Sequence, residues 1–320
     1  MNILVLSCGT RNKIIQYLKN ELSDIGKVVA TDCSKYAPAL YEADTYYIVP
    51  RITDSNYLNI ILDICKKEKI NGVLSLIDPE LTLLSKNKHL FNEIGVTPIV
   101  SDLEQVEMSF DKMKMFDFCT KHNIETINSY SDLNKFKEAL NKGVIDFPVF
   151  VKPYCGSCSV NIQKVCDLEH LEQLFDDYDG LMVQEFMNGQ EIGADVYIDP
   201  ITHKVVSIFT KKKLLMRAGE TDKALSFKDN RLFDFITNFV ESAGFSYNID
   251  IDVFELNGKY YISEVNPRFG GGYPHAYECG CNFMKYIVNS LNNNINHNEV
   301  GNYKENIVMM KYLDVMIKEM

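Results

Sequence analysis

Between Asn2 and Ile77 short apolar runs alternate with amphipathic stretches: NILVL, Lys13 to Leu22, KVVAT ending at Asp32, TYYIV, Tyr57 to Glu68, then GVLSLI. A strand period followed repeatedly by a helix period describes a parallel sheet layered with helices, because parallel strands need long crossovers and helices supply them. The first hundred residues therefore read as a Rossmann-like α/β unit. Its first turn, Ser7 to Asn12, is SCGTRN rather than GxGxxG, so Asp32 is not assigned to a ribose and a scaffold domain is the simpler expectation. Asp78 and Glu80 follow GVLSLI. At a strand's carboxyl end they either edge a substrate cleft or serve as acids at a helix N-terminus.

From about Ser109 the texture changes. A helix from Asp111 to His122, the strand FPVFVKP, a Gly/Ser/Cys loop, SVNIQKV, a helix near Leu168 to Asp176 and LMVQEF form a compact α+β piece. Beyond Glu191 come long strands, a helix from Asn230 to Ala243 and a hairpin. At 320 residues the chain exceeds the size one core usually serves. The expected division is residues 1–105 and 106–320, with a smaller lobe at about 122–188. The Asn-rich run NSLNNNINHNEVGN reads as a surface loop.

A net charge of -11 and a pI near 5.1 would repel phosphate backbones and anionic lipid, which argues against nucleic acid and membrane partners but allows a small polyanion in a local basic pocket. The N-terminus has no basic region before its short apolar run, and no stretch approaches the roughly 20 apolar residues of a membrane span, so a cytoplasmic location is expected. Nine cysteines without a repeating spacing suit reduced thiols. Cys155-Gly-Ser-Cys158 and Cys279-Gly-Cys281 lack the second pair that a structural zinc needs.

The segment SEVNPRFGGGYPHAYECG, from Ser263 to Gly280, places a carboxylate, a carboxamide, a guanidinium and three glycines in close succession, which a packed core has no use for. It follows the hairpin IDIDVFELNGKYYISEVNP. A two-residue Asn257-Gly258 turn would send Asp252 and Glu264 to opposite faces, so a three-residue connection with left-handed Gly258 is expected. That register gathers Asp250, Asp252, Glu264 and Asn266 on one face, with Asp250 opposite Glu264. Crowded carboxylates repel unless a cation sits among them, and oxygen-only ligands suit Mg²⁺ with substrate phosphates. Arg268 could then grip a phosphoryl oxygen while the glycines admit close backbone approach. An acidic hairpin edge that discourages aggregation is the plainer alternative.

Three further stretches carry chemistry. Lys152 ends FPVFVKP, and the loop after it, with Ser157 and Ser159, could cradle phosphates through amides and hydroxyls, although GxxxxGK[ST] is absent and a hairpin loop would suffice. In LMVQEFMNGQEIGADVYID a polar break joins two strands, compatible with an interlobe hinge whose backbone at Glu185 to Met187 pairs with an adenine edge and whose Glu191 takes ribose hydroxyls, or with a simple turn. In TKKKLLMRAGETDKA, Lys211 to Lys213 read as a solvated face and Arg217 as the better functional candidate.

In their order, Lys112, Lys152 with its Ser-rich loop, QEFMNGQE, RAGET, and Asp252 paired with ExNPR resemble the ATP-grasp superfamily, most closely single-module relatives of the carbamoyl phosphate synthase large chain. The resemblance covers roughly residues 105 to 290. It implies a Rossmann-like domain ahead of a two-lobed ATP-grasp domain, with ATP and Mg²⁺, or Mn²⁺ in its place, between the lobes. It also implies that Lys112 and Lys152 touch ATP phosphates, Glu185 and Met187 contact adenine, and Glu191 binds ribose. Asp252, Glu264 and Asn266 would be metal ligands, and Arg268 would steady the transferred phosphoryl group or a carboxylate. Arg217 stands where relatives carry another polar residue, and the loop YCGSCSVN is shorter than the glycine-rich lid of many members.

The implied activity is carbon–nitrogen ligation between a small carboxylate and an amine or ammonia, through an acyl phosphate, with ADP and phosphate as products. Two alternatives remain open: a non-catalytic ATP-binding sensor or scaffold, and a carbamoyl-phosphate-type enzyme using bicarbonate and ammonia. A homodimer is compatible with either. Tyr273, His275 and Glu278 either line an acceptor pocket or cap and pack the following helix.

Overall fold

The structure is a computed structural model and describes residues 1–156, 163–217 and 219–319. Strands β1 (Asn2–Leu6), β2 (Lys27–Asp32), β3 (Thr45–Ile48), β4 (Gly72–Ser75) and β5 (Thr97–Pro98) form a parallel sheet in the order β3-β2-β1-β4-β5. Alternation along β1 sends Ile3 and Val5 into one core and Leu4 and Leu6 into another, so helices cover both faces. The chain leaves β1 toward β2 on one side and meets β4 on the other, and the loop Ser7 to Arg11 therefore opens at the switch point where such sheets leave a crevice.

The smaller lobe is an antiparallel sheet of β6 (Ser129–Tyr130), β7 (Val149–Pro153), β8 (Gln163–Val165) and β9 (Leu181–Glu185), ordered β6-β9-β7-β8. Two helices, Leu133–Asn141 and Leu168–Asp177, start on capping aspartates: Asp132 accepts from the amides of Asn134 and Lys135, and Asp167 from that of His170. They bury Phe136 and Leu171 against Val149, Val151, Val165 and Val183, a core separate from the other two.

The larger lobe is a six-stranded antiparallel sheet of β10 (Gln190–Ile198), β11 (Val205–Arg217), β12 (Glu220–Phe227), β13 (Tyr247–Leu256), β14 (Lys259–Asn266) and β15 (Val308–Met310), ordered β14-β13-β10-β11-β12-β15. The helix Asn230–Ala243 is capped by Asp229 and ends at Gly244 with φ 76°. Its stripe of Leu232, Phe233, Ile236, Phe239 and Val240 packs into the same continuous core that takes Ile3 and Val5 of the first sheet. One shared core thus holds the α/β domain against the larger lobe. No described helix is long and apolar enough to cross a membrane.

The hairpin differs from expectation. Asn257 (φ 53°) and Gly258 (φ 76°) make a two-residue turn with Leu256 opposite Lys259, because both positions tolerate the left-handed backbone that a type I′ turn demands. The register is reset further along: Val253 pairs with Ile262 but Asp252 with Glu264, so Ser263 is the extra residue of a β-bulge. Asp252, Glu264 and Asn266 still gather as expected, while Asp250 faces Asn266 rather than Glu264. The Asn-rich tail of the last helix is not wholly surface either. Asn296 is buried, and its amide and side chain bond the Asp199 carboxylate at 2.9 and 3.0 Å.

The separateness of the smaller lobe's core generates a prediction. Phe136→Ala should cost about 3–5 kcal/mol locally, accelerating amide exchange across residues 129–185 while leaving protection in β1 and β4 unchanged. A uniform rise across all three sheets would contradict a separately stabilised lobe.

Candidate active-site cavity

A cavity of about 360 Å³ opens between the two lobes and the α/β domain. One end is bounded by β7, β9 and the turn after β9, through Phe150, Glu185 and Met187. Its floor is the polar face of β10, β11, β13 and β14. The far end is bounded by Arg268, the glycines after it, the β11–β12 hairpin and Arg11 from the α/β domain.

The floor is made by strand alternation. On β11, Lys211 and Lys213 point inward together, and neither is solvated as a charge run normally would be: their side chains are 1% and 5% exposed. Lys211 Nζ bonds Asp195 at 2.5 Å, and Lys213 Nζ bonds both Glu191 and Asp252 at 2.7 Å. Burial would lower the Lys213 ammonium's pKa, but Asp252 and Glu191 more than offset it and hold the proton firmly. Asp250, directly opposite Asp195 on the neighbouring strand, has its carboxyl pushed well above the usual range by burial and by Asp252 and Asp195.

Lys152, at the end of β7, is nearly enclosed and bonds Gln184 Oε1 at 2.8 Å. Burial pulls its ammonium below the ordinary lysine range, with Glu264 opposing and Lys112 reinforcing that pull. Such a desolvated ammonium gains most from an arriving anion. Lys112 opens the helix Lys112–Lys121, which Asp111 caps by accepting from the amides of Met113 and Lys114. Its Nζ donates to Gly156 O at 2.6 Å and stands 3.7 Å from Glu264, behind the cavity wall. Glu185 is fixed by Asn128, whose side chain donates to its carboxylate at 2.8 Å and whose carbonyl accepts its amide at 2.9 Å.

Arg268 is held by Asp78 in a two-point pair, Nε to Oδ1 at 2.8 Å and Nη2 to Oδ2 at 3.2 Å, and Nη2 also donates to Asn266 Oδ1 at 3.3 Å. Asp78 therefore stands behind the wall and acts through Arg268, while Glu80 is fully buried against Ser75 and Tyr57 and does not reach the cavity. The glycines are explained by space. A Cβ at Gly270 would stand 2.5 Å from the Asp250 carboxyl carbon, one at Gly271 2.6 Å from Arg11 Nη1, and one at Gly272 2.8 Å from Lys211 Nζ. Each clears a charged group of the floor or wall.

Lys152, Glu185, Met187, Glu191, Asp252, Glu264, Asn266 and Arg268 thus line one cavity. Arg217 does not. It lies near the tip of the β11–β12 hairpin with a 65% exposed side chain, 3.5 Å from Asp222, and the cavity receives Met216, Gly219 and Glu220 instead. Ser157 and Ser159 lie outside the described residues. Tyr273 and His275 pack rather than line: Tyr273 is fully buried, donating to Cys281 O and accepting from the Phe283 amide, and His275 Nε2 meets Ile307 O at 2.9 Å. Glu278 accepts from Tyr17 on the α/β domain. Lys211, Lys213 and Arg11 were missed in the sequence; for the two lysines the signal was period-2 spacing within a strand, which a basic run conceals, whereas Arg11, in the loop after β1, carries no local signal.

Asp252, Glu264 and Asn266 offer oxygen donors only, the set a hard cation takes. Among the described residues no three His, Cys, Asp or Glu side chains converge as a metal cluster, so a cation here would rest on two carboxylates, one carboxamide and ligand oxygens. That is the habit of Mg²⁺ beside phosphates.

Residues 3–99 match the family described as PylC-like, N-terminal domain, and residues 177–315 the family described as ATP-grasp in the biosynthetic pathway with Ter operon. The chain is 27% identical over 303 residues to a carbamoyl-phosphate synthase of Methanobrevibacter smithii, covering 90% of this chain and 80% of that protein. It is 23% identical over 250 residues to the carbamoyl phosphate synthase large chain of Clostridium beijerinckii, of which it spans only 22%. Among solved structures, the biotin carboxylase domain dimer of Hydrogenobacter thermophilus 2-oxoglutarate carboxylase, in complex with magnesium ADP, ADP and bicarbonate, superposes with a TM-score of 0.75 at 17% identity. That match covers 96% of this chain and 73% of that one. The ADP complex of N5-carboxyaminoimidazole synthetase from Staphylococcus aureus gives 0.72 at 14% identity, covering 93% and 79%.

Two outcomes follow from the packing. Gly270→Ala should destabilise the protein by about 1–3 kcal/mol, since Cβ meets the carboxyl of Asp250 on a packed strand; an unchanged denaturation midpoint would show that Asp250 has room to move. His275, buried and beside Lys211, has its pKa lowered to about 4 from 6.5, mainly by desolvation. The unfolded chain then binds the proton more tightly, so this contribution is complete above about pH 6.5 and is lost as pH falls toward 4, by up to about 3 kcal/mol. Denaturant titrations across that range should show a shallower pH slope in His275→Gln.

Proposed function

From the match of residues 177–315 to an ATP-grasp family we propose that this chain is an ATP-dependent ligase joining a small carboxylate to an amine or ammonia through an acyl phosphate. The observation that carries the reading is the convergence, in one cavity, of a desolvated Lys152, the facing Asp252 and Glu264 with Asn266, and the Asp78-braced Arg268. Glu185 and Met187 bound the end where a purine would lie, and Glu191, tethered by Lys213, lies on the way to the floor.

The chemistry needs no covalent protein nucleophile. A carboxylate oxygen attacks the γ-phosphorus, ADP leaves, and an amine then attacks the acyl carbon with loss of phosphate and a proton. Lys152 would neutralise phosphate oxygens, Arg268 would hold the transferred group in line, and Asp78 would keep that guanidinium from rotating, while Lys112, expected from the sequence to touch phosphate, stands behind the wall beside Glu264. Asp252, Glu264 and Asn266 would hold Mg²⁺, which supplies charge neutralisation across the phosphates when bound. Burial of the lysines and floor acids strengthens each of these interactions. Enclosure between the lobes would also protect an acyl phosphate from water.

A second reading is supported by the 27% identity across most of both chains: the carboxylate would be bicarbonate and the amine ammonia, as the name of that Methanobrevibacter protein suggests. Bicarbonate with ammonium, tested beside pools of organic acids and amines, separates the two readings.

The test is ADP and phosphate release from Mg-ATP by the purified chain. Glu264→Gln should fold normally, since that side chain is 29% exposed, and should lower stimulated turnover at least a hundredfold. A fully active variant would remove Glu264 from the reaction, and Mg-ATP binding without stimulated release from any pool would favour a sensor.

A further inference from the structure

We infer that Arg11 reads a carboxylate carried by the attacking amine, so that the acceptor is a small amino-acid-like zwitterion rather than ammonia or a neutral amine; this deepens the ligase reading and rests on it. Arg11 lies in the loop after β1, at the switch point of the parallel sheet, and is the α/β domain's contribution to the cavity wall. Its Nη2 donates to Glu220 Oε1 at 2.9 Å, and its Nη1 lies so close to Gly271 that a Cβ there would stand 2.6 Å away. A guanidinium is thereby delivered to the end of the cavity away from Glu185 and Met187.

The partners of the two arginines at this end distinguish them. Arg268 is committed to Asp78 at two points, with side chains 13% and 11% exposed, and removing either would leave a nearly buried charge. Arg11 shares one carboxylate oxygen with a side chain that is 46% exposed, and Glu220 has a second cation, Lys311 Nζ at 2.8 Å from Oε2. Burial would raise the Glu220 carboxyl, but the Lys311 hydrogen bond, with Arg11, holds it below the usual range. A ligand carboxylate could therefore take Arg11 from Glu220 and leave Glu220 still paired to Lys311, with no orphaned charge on either side. Glu220 marks the position that the ligand carboxylate would occupy. Ammonia or a neutral amine gives no partner to this guanidinium.

The experiment measures ADP release by the full chain from Mg-ATP and a carboxylate pool, with single amino acids as acceptors against their primary amides and ammonium. The expected result is at least about tenfold higher kcat/KM for one amino acid than for its amide. Arg11→Gln should raise the amino acid's KM about ten- to a hundredfold and erase that preference, with the KM for ATP changing less than about twofold. Arg11→Lys should restore part of it. Glu220→Gln discriminates recognition from a mere strut between domains: it should leave the amino acid's KM unchanged or lower it, since a competitor for Arg11 is removed. If Glu220→Gln raises that KM as Arg11→Gln does, Arg11 is a strut and the inference fails. Equal use of the amide or ammonium by the unaltered chain overturns the inference while the ligase reading stands. Absence of stimulated release with every acceptor, with Mg-ATP still bound, overturns both.

Discussion

Charged groups buried on one face of β10, β11 and β13 set the terms for the rest of the molecule. Asp195 and Lys211 are almost wholly enclosed, Lys213 bridges Glu191 and Asp252, and Asp250 lies among them with its proton affinity raised. Enclosing such charges costs several kcal/mol per ion, and an apolar packing of the same volume is often no less stable. Stability alone therefore does not account for the arrangement. It is accounted for if the face must meet a polyanion and a cation, because prepaired charges in a poorly hydrated site are already oriented when the ligand arrives.

Much of the surrounding structure serves that face. The bulge at Ser263 brings Glu264 opposite Asp252 after a turn that would otherwise have separated them. Gly270 and Gly272 remove the side chains that would collide with Asp250 and Lys211. The core shared between the first sheet and the larger lobe brings Asp78 to Arg268 and Arg11 to Glu220, pairs between residues far apart in the chain. The α/β domain is consequently part of the cavity and not only its support.

Several parts of this were legible in the residues. The alternating periods before Ile77 correspond to β1 through β4 and their helices, and the helix Asn230–Ala243 begins and ends where its capping aspartate and glycine place it. Lys152, Glu191, Asp252, Glu264, Asn266 and Arg268 were recognisable by type and order, and they share one cavity. Lys211 and Lys213 were misread because a basic run ordinarily faces water; only pairing with β10 and β12 makes alternate members point inward. Arg217 was favoured for its neighbours in sequence, yet irregular pairing in β11 leaves it at the hairpin tip beside Asp222.

The sequence by itself determined the local elements and the chemical types at the floor of the cavity, because periodicity, capping and motif order act over a few residues at a time. Tertiary structure decided which charges neutralise one another, that Tyr273 and His275 belong to the core, and that Arg11 meets Glu220 across 209 positions of chain. Those outcomes depend on sheet register and on one core joining two domains, and neither is encoded in any short stretch of residues.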